Sequence, residues 1–280
     1  MGLLSHKLAS LLEAFPALKR RLLAHRMLIL FSLLGLVILG FIFLPLLKMI
    51  ISSSPGMLWD ALQEGDVRSA IWLSLYAALL ATVVGLLLGV PLAYLLARSD
   101  FRGKRVVEGL IDVPIVVPHA VVGLALLFVF GQKFLAGSVF HSLGIDFVAA
   151  TPGIIIAMLF VSVPFLIDSA KEGFQAVDVR LEKVARTLGA SPWQTFFRVS
   201  LPLAWRSILS GSIMMWARGI SEFGAILILV YHPKVASILV WERFENYGLD
   251  SAIPVATLLL LVCLVLFIVL RTVAYRGKRA

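Results

Sequence analysis

Five long stretches of the chain carry no charge. Met27–Leu47, Ala70–Ala97, Val113–Gln132, Phe147–Ile167 and Ser251–Leu270 each run 20 residues or more without Asp, Glu, Lys or Arg. A bilayer core about 30 Å thick takes about 20 apolar residues in a helix, so each stretch predicts a membrane span. A sixth, Ser207–Tyr231, has the length but contains Arg218 and Glu222. Their four-residue spacing lets the two charges face each other on one helix. Breaking residues separate the spans, as in Ser52-Ser53-Ser54-Pro55-Gly56 and Arg98-Ser99-Asp100. The pattern predicts an all-α polytopic membrane protein of six transmembrane helices. Residues 1–26 form an N-terminal arm, 27–275 the membrane domain and 276–280 a tail.

Composition agrees, with 60% hydrophobic and 15% charged residues, against about 25% charged in soluble domains. A soluble enzyme, a disulfide module and a disordered chain are excluded. Cys263 is the single cysteine, so neither a disulfide framework nor a cysteine metal site can form. The net charge of +9 could indicate nucleic acid, anionic lipid or membrane orientation. Sorted by segment, 19 of the Lys and Arg residues fall in the two terminal segments and the loops around 98–105 and 171–206, and 5 in the other three loops. That asymmetry places both termini in the cytoplasm and removes nucleic acid as a partner. The first apolar run is 21 residues, longer than the roughly 7–15 of a signal-peptide core, and no small-x-small site follows, so it is expected to stay as an anchor. Ahead of it, Leu4, Leu8, Leu11, Leu12 and Phe15 share a helical face. An interfacial helix and a plain basic arm are both open there.

The 171–206 loop is neither polar nor featureless. Phe174, Val177, Leu181, Val184, Ala185 and Leu188 recur at three- and four-residue steps, which predicts one amphipathic helix from Lys171. Gly189 follows as a left-handed cap, and Ser191-Pro192-Trp193-Gln194 reads as a capping box opening a second short helix that ends near Leu201-Pro202. Such a unit either caps the bundle or takes up force from a soluble partner.

Glu182-Lys183-Val184-Ala185, Gly189, nine residues, then Val199-Ser200-Leu201-Pro202 resembles the signature of ABC importer permeases, whose general form is E-A-A, three residues, G, nine residues, I-x-L-P. Glu182 stands one position early, Lys183 occupies the usual glutamate position, and Val184 and Val199 replace Ala and Ile. Glu108-Gly109-Leu110-Ile111-Asp112-Val113-Pro114 with Pro118-His119, and Trp216-Ala217-Arg218-Gly219-Ile220-Ser221-Glu222-Phe223-Gly224-Ala225, are similar to the molybdate/tungstate branch, closest to its archaeal type. Sulfate permeases share part of these motifs. The resemblance implies a type I ABC importer permease fold and a non-catalytic subunit of an ATP-driven oxyanion importer. It also implies a homodimer with a second copy, a cytoplasmic ABC ATPase dimer that uses ATP and Mg, and an extracytoplasmic binding protein. No cofactor or metal is expected in this chain, which has no G-x-x-x-x-G-K-[ST] loop of its own. Glu182, Ala185 and Gly189 would be the ATPase-coupling residues, with Glu182 offering its carboxylate to a partner arginine.

Pathway candidates are Arg218, Ser221, Glu222 and His119. A charge at mid-membrane costs about 2.5–3.5 kcal/mol on insertion scales, so Arg218 and Glu222 are either a structural pair, a cationic element beside an oxyanion path, or both. His119, after Pro114 and Pro118 at an expected kink, is either a satisfied interior histidine or a ligand. Ser221, Gly219 and Ser212 suit a pathway wall, and Gly85 with Gly89 suits close helix packing. Asp112 and Asp168 lack a protease motif, which argues against an intramembrane enzyme. An ion-coupled secondary transporter is the remaining alternative class.

Overall fold

The computed structural model describes the backbone of residues 2–275 and the side chains of 27–134 and 136–272. Two compact units divide the chain, Met1–Ser54 and Pro55–Ala280. The first is helix α1 (Gly2–Ser52), whose part Met27–Ser52 is long and apolar enough to cross a membrane. Its large side chains, among them Leu28, Phe31, Leu34 and Phe41, are exposed, as lipid solvation permits. The face expected at Leu4 to Phe15 concerns side chains outside the described ones, and the 276–280 tail lies outside the described residues.

The second unit is also helical. In order come α2 (Pro55–Gln63), α3 (Gly65–Arg98), α4 (Lys104–Val116), α5 (His119–Phe130), α6 (Leu135–Ser142), α7 (Thr151–Ala176), α8 (Val179–Thr187) and α9 (Pro192–Thr195). A π turn (Phe196–Ser200) leads into α10 (Leu201–Ile220), followed by α11 (Gly224–Leu229), α12 (Ala236–Tyr247) and α13 (Leu249–Tyr275). Among the described residues, α1, α3, α7 and α13 contain spans that pass by length and composition, and α4 with α5 makes a fifth when the bent pair is counted as one. The Ser207–Tyr231 stretch, expected as one span, is instead broken. Helix α10 stops at Ile220 and α11 starts at Gly224.

Three helices, α3, α7 and α10, form the centre. In lipid no hydrophobic effect drives helix to helix, so close contact through small residues must do so. Ala77, Ala81, Gly85, Gly89 and Ala93 recur every fourth residue along α3, and all are buried. A Cβ on Gly85 would lie 2.5 Å from Met215 Cε of α10, and one on Gly89 would lie 3.1 Å from Ile167 Cγ1 of α7. Gly85 and Gly89 are thus two steps of a longer ridge. Buried hydroxyls bond back to their own helices, Thr82 to Ala78 O at 2.8 Å and Ser162 to Met158 O at 2.5 Å, leaving no polar atom without a partner at these contacts.

A close α7–α10 approach supplies a test. A Cβ on Gly211 would sit 2.7 Å from Ser169 Cβ and 3.2 Å from Leu166 Cα, so Gly211→Val should destabilise the protein by about 1–3 kcal/mol. Gly109 in α4 meets nothing within 4 Å, and Gly109→Ala should be neutral or stabilising by up to about 1 kcal/mol. Thermal unfolding in detergent compares them; equal effects would remove the packing argument.

Candidate functional site

Two interruptions of helix meet inside the second unit. At Val117–Pro118 the α4–α5 pair bends by 115°, because Pro114 and Pro118 lack the N–H groups a straight helix would use. Opposite, the α10 ladder ends at Ser221, whose hydroxyl turns back to Arg218 O at 2.9 Å. Glu222 Oε1 then accepts the Ala225 N–H at 2.9 Å, satisfying a donor at the start of α11. Close approach of α5 and α11 requires glycine on both sides. A Cβ on Gly123 would lie 2.8 Å from Ala225 O, and one on Gly224 2.9 Å from His119 Cβ.

All four pathway candidates gather at this meeting point. Glu222 Oε2 lies 2.6 Å from His119 Nδ1 and 3.2 Å from Arg218 Nη2. Arg218 Nη2 is also 2.8 Å from His119 Nε2, and Nη1 donates to Ser221 Oγ at 3.2 Å. An ionised carboxylate only accepts, so the arrangement that satisfies all groups has His119 Nδ1–H donating to Glu222 and Nε2 accepting from Arg218. The Glu222 side chain is 1% exposed, against 25% for Arg218 and 34% for His119. The acid therefore stands behind the donors, and the open side of the cluster presents a guanidinium, an imidazole edge and the exposed Ser221. The remaining N–H groups of the Arg218 guanidinium can meet oxygen atoms of an anion there, while the buried carboxylate fixes its geometry.

Ser212 and Gly219 do not join Ser221 as a wall. Both are buried, Ser212 bonding back to Ile208 O at 2.8 Å and Gly219 packing toward Ala78 and Met158. Their small size serves helix contact.

Residues 171–188 depart from the single amphipathic helix expected there. Helix α7 ends at Ala176, and the Asp178 side chain accepts the Arg180 N–H at 2.9 Å to start α8. Beyond it the expected punctuation holds. Gly189 has φ +89 and closes α8, with Ala190 N–H donating to Ala185 O at 3.0 Å. Ser191 and Gln194 form both bonds of the capping box. Leu201-Pro202 does not end the helix, because the π turn passes directly into α10 with Pro202 in its first turn, where its missing N–H is not needed.

Of the expected apolar stripe, Phe174 and Val177 are buried, whereas Leu181, Val184 and Leu188 are exposed, Leu188 at 83%; Trp193 of α9 and Phe197 of the π turn are exposed beside them. Ala185 is half-buried and Gly189 exposed. Glu182 does not point outward to a partner's arginine. Its carboxylate turns into its own chain, where Arg98 Nε at 2.9 Å, Ser200 Oγ at 2.7 Å and Tyr94 OH at 3.4 Å donate to it. Sequence reasoning took Arg98 as an orientation charge and a span end and Ser200 only as part of the signature, and gave Tyr94 and Asp178 no role in a site. The signal available was Asp178 one residue before α8, in an N-cap position. Lys171 lies 3.4 Å from both Glu108 and Asp168, joining α4 to α7. Outside the spans, hydrogen bonds from His141 and Gln132 hold Asp146 below the usual carboxylate range.

Comparison with known proteins places the chain among transport proteins it resembles. The family described as binding-protein-dependent transport system inner membrane component matches residues 85–278. A molybdate/tungstate transport system permease protein of Pyrococcus abyssi is 47% identical over 251 residues, covering 89% of this chain and 96% of the relative. A probable sulfate transport system permease protein of Chlorokybus atmophyticus is 33% identical over 212 residues, 74% of each chain. Among solved structures, a bacterial alginate ABC transporter in complex with its alginate pentasaccharide-bound periplasmic protein superposes with TM-score 0.70 at 18% identity, covering 94% of this chain and 97% of that one. The likeness extends to the fold as a whole.

Removing the buried acid tests the cluster. Glu222→Leu strands Arg218 and the Ala225 N–H and should cost about 3–5 kcal/mol, and Arg218→Met with Glu222→Leu should cost less than Glu222→Leu alone. Chemical unfolding in detergent measures both. A double variant no more stable than the single one would separate Arg218 from the pair.

Proposed function

We propose, from the premise that this chain belongs to the family of binding-protein-dependent transport system inner membrane components, that it carries molybdate- or tungstate-type oxyanions through the cell membrane as the permease of an ATP-driven importer. The observation that carries this reading is the Arg218, His119 and Ser221 face backed by buried Glu222 at two adjoining helix breaks. A tetrahedral dianion cannot enter hydrocarbon, since transfer of an isolated charge costs tens of kcal/mol by Born estimates. It needs a wet path, and irregular backbone at membrane depth is tolerated where it lines such a path. The strong likeness to the Pyrococcus abyssi permease across nearly the whole chain supports this substrate class. Likeness to the sulfate permease supports sulfate as the second reading.

In this reading the subunit performs no chemistry and holds no cofactor. A cytoplasmic ABC ATPase dimer hydrolyses ATP with Mg, a second copy of the permease completes the path, and an extracytoplasmic binding protein delivers the anion. The positive-inside bias puts the α8–α9 knob in the cytoplasm. Its exposed Leu181, Val184, Leu188, Trp193 and Phe197 form an apolar face suited to a groove on the ATPase. Gly189 at the turn leaves room for that contact, with nothing within 4 Å of its Cβ position.

Three experiments follow, all on the complex with its ATPase and binding protein in proteoliposomes. Uptake of labelled tungstate should require ATP and be competed by molybdate far better than by sulfate; ATP-independent uptake would overturn the importer reading. Arg218→Lys, which keeps the charge and loses the fork, should cut uptake roughly tenfold, the worth of one charge-assisted hydrogen bond; unchanged uptake would remove Arg218 from the path. Gly189→Trp should leave the bundle folded while separating ATP hydrolysis from uptake. Normal assembly and normal transport by that variant would overturn the coupling role of the knob.

A further inference from the structure

The knob reaches the bundle by three routes, two of them covalent. Backbone continues from α7 through Val177–Asp178 into α8, and from α9 through the π turn into α10. The third route is made of side chains alone and leads to α3. Arg98, the last residue of α3, donates Nε to Glu182 Oε1 at 2.9 Å and Nη2 to Val177 O at 3.0 Å, the carbonyl of the residue that caps α7. Its Nη2 also lies 2.8 Å from Glu182 Oε1, with the two side chains 12% and 10% exposed. The same oxygen accepts from Ser200 at the end of the π turn at 2.7 Å. Tyr94, one turn before Arg98, points its hydroxyl at Glu182 Oε2 and sets its ring edge-on to Phe174 at 5.2 Å and Phe196 at 4.9 Å. One carboxylate thus gathers α3, α8 and the π turn, and its arginine adds the end of α7.

We infer that Arg98 is a positioning residue for coupling, tying α3 to the α8–α9 knob through Glu182 so that displacement of the knob carries α3 with it. Both covalent routes contain a joint. Val177–Asp178 is an extended step between helices, and π turns are irregular points in a helical ladder. Without the Arg98 fork the knob can move on these joints while α3 stays. The central ridge of small residues lies on α3, so a stationary α3 leaves the packing of the bundle, and the path it encloses, in one state.

This inference rests on the reading that the knob receives the ATPase, and its test keeps the two apart. Complexes carrying Arg98→Gln, Arg98→Lys or Ser200→Ala are reconstituted with the ATPase and binding protein, and labelled tungstate uptake and ATP hydrolysis are measured in the same vesicles. Arg98→Gln should co-purify with the ATPase and hydrolyse ATP within about twofold of the unsubstituted complex, while tungstate moved per ATP falls about tenfold, given the weight of a desolvated ion pair. Arg98→Lys, retaining charge and a donor, should recover most of that ratio, and Ser200→Ala should lower it by less than Arg98→Gln does. An unchanged ratio in Arg98→Gln overturns the inference. So does loss of co-purification in Arg98→Gln with an unchanged ratio in Ser200→Ala, which would make the pair a folding element alone. If Gly189→Trp uncouples and Arg98→Gln does not, only the role of Arg98 falls; if neither does, the coupling reading of the knob falls as well.

Discussion

A carboxylate placed where charge is expensive organises the centre of this protein. Glu222 is almost fully buried, and a buried charge stripped of its partners destabilises by several kcal/mol. It is tolerated only where donors converge, and three do so from separate elements: the Ala225 N–H of α11, Arg218 of α10 and His119 of α5. Their convergence obliges the α10–α11 break to lie against the α4–α5 bend. Had Ser207–Tyr231 formed one unbroken helix, Ala225 N–H would have bonded within the ladder and Glu222 would have lost an acceptor role at its own terminus. The break and the charge therefore explain each other.

The same device recurs at the ends of α3 with different weight. At its start, Arg243 of α12 forks onto Glu64 and reaches Asp66 Oδ2 at 3.0 Å. Partial burial alone would favour neutral Arg243, but the two carboxylates outweigh it and hold the guanidinium charged more firmly than usual. Those carboxylates are 45% and 58% exposed, so water screens the contact and its contribution to stability is small. At its end, Arg98 and Glu182 are nearly withdrawn from solvent and share their bonds with Val177 O and Ser200. Helix α3 is thus clamped loosely at one end and firmly at the other, and the firm end is the one beside the knob.

Long uniform patterns were legible in the sequence; points where two distant segments compete for one polar group were not. Charge-free runs foretold α1, α3, α7 and α13 because length and hydropathy alone decide a span. Gly189 and the Ser191–Gln194 box were readable because capping is local. The amphipathic stripe from Phe174 to Leu188 misled, since periodicity continues across Asp178 while the backbone does not. Glu182 was read as outward-facing because no sequence rule connects it to Arg98, 84 residues away. The gathering of His119 with Arg218 and Glu222 was foreseen as a set of candidates but not as one cluster, because it requires two breaks to coincide in space.

The cluster's internal satisfaction bears on how an importer of this kind can work. Arg218 already has Glu222, His119 and Ser221 as partners, so on the proposed path an arriving dianion would exchange one set of charge-assisted bonds for another instead of meeting a free cation. The net gain is small by construction. Passage benefits from that, because a site that binds strongly enough to strip an anion of water must also let it go. A bare arginine at the same depth would hold a dianion too tightly and would itself be too costly to bury. Neutralising the arginine from behind with a buried acid meets both demands at once, and in the proposed importer it would leave strong capture of a dilute anion to the binding protein.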